Sequence, residues 1–194
     1  MFNLVKMDVR RLFRSHSFYI TLGVTAALIL GLVALVTTMT DQQTLDAMAS
    51  QGMEVEESDY EMKAEFNRMS QLDFAHECLG SGFLLLLTGI GVTLFIHSDF
   101  SSGFVKNLCF ARPRRWEYVL SKVLATGVYS GVINLLGILL SLVCPILFGL
   151  HPVASPVGSI LQYAFWLWLP AWAFGLMALA LVVLTRSSTL AIVM

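Results

Sequence analysis

Side chains capable of chemistry are few in this 194-residue chain, and their spacing points away from catalysis. There is no GxxxxGKS or GxxxxGKT phosphate loop, no pair of carboxylates within an apolar run and no histidine cluster inside one. His76 and Glu77 are adjacent, so on a helix they do not share a face as metal ligands at i, i+3 or i, i+4 would. Cys78, Cys109 and Cys144 fall in three different segments without ligand spacing and read as small apolar residues. These patterns predict no catalytic group and no metal ligands, and none points to nucleic acid. The polar chemistry that remains is concentrated between Ser98 and Lys122, in SDFSSGFVKNLCFARPRRWEYVLSK, which carries five of the twelve Lys and Arg residues between two long apolar runs.

Those runs dictate the class of protein. A chain that is 57% hydrophobic and 13% charged, with a mean hydropathy of +0.75, has too little polar surface to cover a soluble core. About 20 apolar residues, rising about 1.5 Å each, cross a hydrocarbon layer of about 30 Å. Four segments reach that length: Ser17 to Thr38, Leu79 to His97, Tyr118 to Leu150 and Ser159 to Thr185. Lys122 is the one charged residue inside them. They are continuous apolar runs rather than period-2 alternations, so the expected fold is all-α, a polytopic transmembrane helical bundle. A fifth run begins at Ser187 and stops at Met194 after eight residues, too few to span, so the sequence is expected to be a fragment of a longer chain or, alternatively, this end to pack as a stub against the bundle. The apolar run after the basic N-terminus lacks a small-x-small cleavage site and is expected to be retained as a span.

The sign of charge alternates between these runs. Lys6, Arg10, Arg11 and Arg14 precede the first span. The segment from Asp41 to Glu77 holds ten carboxylates against Lys63 and Arg68, and the next link returns to basic with Lys106, Arg112, Arg114 and Arg115. Lys and Arg are enriched on the cytoplasmic side near span ends, so the expected orientation has the N-terminus and the loop 98–117 inside and the acidic segment 41–77 outside.

Local patterns fill in the pieces. Phe2, Val5, Val9, Leu12 and Phe13 recur at near-helical spacing beside Lys6, Arg10 and Arg14, which predicts an amphipathic helix over 1–16 lying at the membrane interface. Ser58-Asp59-Tyr60-Glu61 has the form of a capping box opening a helix in the acidic segment. Gly127 and Gly131 form a GxxxG pattern in the third span, expected to pack within the bundle or at a subunit interface, and Asn134 is expected to hydrogen-bond across helices or to line a pathway. Pro145 and Pro170 are expected to bend their spans, and Trp116, Trp166, Trp168 and Trp172 to occupy interfacial or subunit-facing positions.

In the basic loop, Phe100, Phe104 and Leu108 at i, i+4, i+8 predict one apolar stripe, with Ser101, Lys106 and Asn107 projecting elsewhere and Pro113 ending the helix. A stripe this short suits docking of a helix into a groove, or resting on the membrane surface. Asp99, Gly103, Lys106-Asn107, Arg115 and Lys122 also follow an order that, with the opening MFNLVKMDVRRLFRSHSFYI, resembles the membrane subunit of bacterial ABC exporters of the type-2 branch, particularly those tied to peptide-antibiotic export and immunity. The likeness runs through the fourth span. It implies a second permease subunit, and a cytoplasmic ABC ATPase that binds ATP and Mg while this chain carries no cofactor. It also implies a bacterial plasma-membrane location and a coupling role for Asp99, Phe100, Gly103, Phe104, Lys106, Asn107, Leu108 and Arg115. A non-transporting membrane scaffold or sensor subunit is the alternative that shares these spans.

Overall fold

The computed structural model describes residues 2–51, 57–80, 82–101 and 115–185. Every regular element among them is a helix: α1 Phe2–Leu12, α2 His16–Met39, α3 Gln42–Ser50, α4 Glu57–Arg68, α5 Gln71–Leu79, α6 Phe83–Ser101, α7 Arg115–Leu147 and α8 Val157–Thr185. Three of these, α2, α7 and α8, are long and apolar enough by themselves to cross a membrane. The second expected span is not one helix. Gly80 caps α5, and Gly82 takes a positive φ of 74°, where a side chain would be strained, so the run breaks before Phe83. From Phe83 to Ile96 the apolar part of α6 is about 21 Å long, short of the roughly 30 Å hydrocarbon layer, and α5 and α6, bent by 55° at their junction, together have the length of a broken span or a re-entrant loop. The expected start of a fifth span, at 187–194, lies outside the described residues.

The helices divide into two compact units. The first draws on Met1–Thr25, Gly82–Leu135 and Phe165–Met194, the second on Ala26–Ser81 and Leu136–Ala164. In the first unit, Leu12, Phe18, Val92, Ile96, Ala125, Tyr129 and Ile133 are buried together with several hydroxyl side chains. Three of the buried threonine hydroxyls are satisfied along their own helices: Thr88 donates to the carbonyl of Leu84 (2.7 Å), Thr93 to Gly89 (2.8 Å) and Thr126 to Lys122 (2.8 Å). That local bonding lets polar side chains stay in an apolar bundle without a distant partner.

The GxxxG pattern of α7 is a packing site within this unit. The indole of Trp172 lies against Gly127 and that of Trp168 against Gly131. The two indoles stack at 5.1 Å, and their N–H groups donate to the carbonyls of Gly127 (3.0 Å, from Trp168) and Val123 (3.1 Å, from Trp172). Absence of a side chain at the glycines is what lets rings this large reach the α7 backbone. The four tryptophans therefore split: Trp116 and Trp166 are exposed, whereas Trp168 and Trp172 are structural ties. Pro145 and Pro170 both sit inside continuous helices.

The second unit organises the acidic segment, which folds as α3, α4 and α5. Its anchor is a single parallel bridge between Ser70 and Val153, in which Gln71 N–H donates to the Val153 carbonyl (2.8 Å) and Val153 N–H to that of Met69 (2.9 Å). His151 N–H donates to Asn67 Oδ1 (2.7 Å) and Leu72 N–H to Ser155 Oγ (3.2 Å), so the link before α8 is held along its length. Phe74, Cys78, Leu79, Leu45 and Leu150 are buried here, and Phe66 meets Phe74 edge to face at 5.8 Å. The expected capping box at Ser58 involves side chains that lie outside the described residues. The working cap is Ser70, whose Oγ accepts from Asp73 N–H (3.1 Å) at the start of α5.

Candidate functional site: a buried ionic junction at the ends of the basic loop

Three helices of the first unit meet at a cluster of charges. Lys122 Nζ donates to Asp8 Oδ1 at 2.8 Å and also pairs with Asp99. Arg11 Nη2 lies 2.8 Å from Asp99 Oδ1, and Ser121 Oγ donates to Asp8 Oδ2 at 2.5 Å. Asp8, Asp99 and Lys122 are 1%, 0% and 2% exposed, so the junction is closed to solvent, with Arg11 at its rim. Two carboxylates and two cations sum to zero formal charge, which is the condition for retaining ions in a medium of low dielectric. The Lys122 ammonium also lies 4.9 Å from the ring centroid of Phe95 and 5.5 Å from that of Tyr118, within range of cation–π attraction.

Each charge is delivered by simple helical geometry. Leu4, Asp8 and Leu12 recur every four residues and form the buried face of α1, so Asp8 is carried inward by the two leucines beside it. Asp99 stands in the last turn of α6, just before the segment 102–114. Lys122 is two turns into α7, just after that segment, with Ser121 beside it. The junction therefore ties the N-terminal helix to both helices that bracket the basic loop.

Of the residues singled out from sequence, Asp99 and Lys122 come together here. Gly103, Phe104, Lys106, Asn107 and Leu108 lie outside the described residues, as do the side chains of Phe100 and Arg115, whose backbones belong to α6 and α7. The Asn134 Nδ2 makes no interhelical bond among the described residues; it donates to the Ser130 carbonyl of its own helix (2.8 Å), one turn back and within direct reach. Its Oδ1 is buried with no hydrogen-bond partner among the described residues. Asp8, Arg11 and Ser121 were missed by sequence reasoning. The signal for Asp8 was present: it is the sole acidic residue in a basic N-terminal segment, and it lies in register with Leu4 and Leu12.

The expected interfacial helix is also altered. The apolar positions of α1 do not all turn toward lipid; Leu4 and Leu12 turn into the bundle with Asp8. No group of three or more His, Cys, Asp or Glu side chains suited to a metal occurs among the described residues. No protein-family model matches the chain, and no significant match exists among curated proteins or solved structures.

Proposed function

We propose that this chain is a permease subunit of an ATP-driven exporter of the bacterial plasma membrane, working with a second permease subunit and with a separate cytoplasmic ABC ATPase that binds ATP and Mg. The observation that carries this reading is the ionic junction. Asp99 and Lys122 bracket the basic loop, and both hold α1 through Asp8 and Arg11. A push on the loop would then move three helices together rather than one. Buried, well-bonded side chains with two discrete arrangements are the kind of element through which such a displacement passes.

In this reading the stripe of Phe100, Phe104 and Leu108 meets the ATPase, Arg112, Arg114 and Arg115 hold the loop on the cytoplasmic side, and the junction turns loop displacement into motion of α1, α6 and α7. The three long apolar helices support the membrane setting. The order of residues from Asp99 to Lys122 supports the exporter resemblance, and the exported compound is of the peptide-antibiotic or other amphipathic kind by that resemblance alone.

The test is co-purification with a candidate ABC ATPase from the same organism, followed by ATP-dependent efflux from proteoliposomes. Phe104→Asp is expected to abolish ATPase association. The conservative triple change Asp8→Asn, Asp99→Asn, Lys122→Met is expected to leave association intact and to lower efflux at least ~10-fold, the size expected when one coupling of about 1.4 kcal/mol is lost. Undiminished association of Phe104→Asp would sink the docking role, and full efflux by the triple variant would sink the transmission role. A scaffold subunit would show association with no nucleotide-dependent efflux in the unaltered protein.

A further inference from the structure

The face of α1 opposite the junction carries its own pattern. Lys6 and Arg10 are exposed and four residues apart, and Arg14, also exposed, follows in the turn that closes the helix, where its N–H bonds the Arg11 carbonyl (3.1 Å). Two positions along an α-helix correspond to a rotation of about 200°, so Lys6 and Arg10 stand nearly opposite the buried side chains of Leu4 and Asp8. Among the described residues no carboxylate pairs with Lys6, Arg10 or Arg14. The stripe therefore presents uncompensated positive charge on a face of α1 that the bundle leaves open.

Its surroundings indicate what covers it. One three-residue turn separates α1 from α2, the first membrane-crossing helix, so the stripe lies where that helix enters the bilayer. Phe13 and Tyr19 are both exposed at this join, the Tyr19 hydroxyl donates to the Phe13 carbonyl (2.8 Å), and both rings meet Phe18 edge to face, at 5.2 and 5.6 Å. Aromatic rings with a polar tip and long cationic side chains are the residues that settle at the headgroup level. We infer that Lys6, Arg10 and Arg14 bind the phosphate groups of anionic phospholipids, with Phe13 and Tyr19 seated among the acyl-chain ends. The inference stands independently of the transport reading, since it requires only that α2 crosses a membrane.

Native mass spectrometry of the full chain in detergent, titrated with dioleoylphosphatidylglycerol or dioleoylphosphatidylcholine, tests it. The unaltered protein is expected to prefer the anionic lipid, and the preference to weaken with salt, as exposed charges are screened within about 10 Å at 0.1 M. At about five-fold per basic side chain near an anionic surface, Lys6→Gln, Arg10→Gln and Arg14→Gln together are expected to lower affinity for the anionic lipid on the order of 100-fold. The charge-keeping set Lys6→Arg, Arg10→Lys, Arg14→Lys is expected to retain it, which separates lipid binding from failed folding or insertion. Equal affinity for the two lipids would overturn the inference, as would full retention of anionic lipid by the glutamine set. Equal binding of free glycerol 3-phosphate would show a soluble-phosphate site instead. Loss of ATPase association in the glutamine set with unchanged lipid affinity would show that the stripe serves a protein.

Discussion

Ions are used in opposite ways in the two units of this chain. In the first, Lys122 holds Asp8 and Asp99 where none of the three is more than 2% exposed. In the second, Lys63 and Asp41 lie 3.6 Å apart with side chains 42% and 46% exposed. The Asp8–Lys122 pairing joins residues 114 positions apart and fixes which helices meet. The Lys63–Asp41 pairing decorates a surface whose shape is already determined by backbone hydrogen bonds to Val153 and by the burial of Phe74 and Leu150. Sequence alone presents both as charged residues near apolar runs. What separates them is desolvation, which makes the buried ions depend on one another and leaves the exposed pair almost indifferent.

That contrast breaks most sharply at Lys122. Lys122→Ala leaves two carboxylates buried without their shared cation and is expected to lower stability by about 3–5 kcal/mol, read from denaturant unfolding in detergent. Asp8→Asn with Arg11→Gln, Asp99→Asn and Lys122→Met removes the ions as a set and is expected to recover most of that loss. Next in size is an uncharged control in the same unit. A methyl group at Gly91 would overlap the Tyr129 hydroxyl, which packs there beside Thr21. Gly91→Ala is expected to lower the thermal midpoint by an amount equivalent to about 1–3 kcal/mol, and Tyr129→Phe in the same chain to restore it in part. In the second unit, Ser70→Ala removes the cap of α5 and is expected to cost about 1 kcal/mol, seen as faster amide exchange in the first turn of that helix. Smallest of all, Lys63→Gln is expected to change stability by no more than about 0.5 kcal/mol, and a larger loss would erase the distinction between the units.

Legibility from sequence follows the same division. Helical class, the three long spans and the position of Lys122 as a lone charge within one of them were readable, because each depends on composition over tens of residues. Partnership was not. Nothing local connects Asp8 to Lys122, and the pairing emerges only when α1, α6 and α7 pack. The break before α6 was hidden for a different reason: Gly80 and Gly82 are apolar enough to pass as part of a span, while the positive φ of Gly82 ends the helical run. The basic loop shows the converse, since the stripe from Phe100 to Leu108 is an expectation from sequence that lies beyond the described side chains.

The separation of 114 residues between Asp8 and Lys122 has a consequence in time. Ribosomes add roughly 5–20 residues per second, so Asp8 is joined to the chain about 6 to 23 seconds before its ammonium partner is made. Throughout that interval the N-terminal helix carries a carboxylate that has nowhere dry to go. Helix α1, made well before α7, is therefore seated only late, and its docking reports that α7 has arrived.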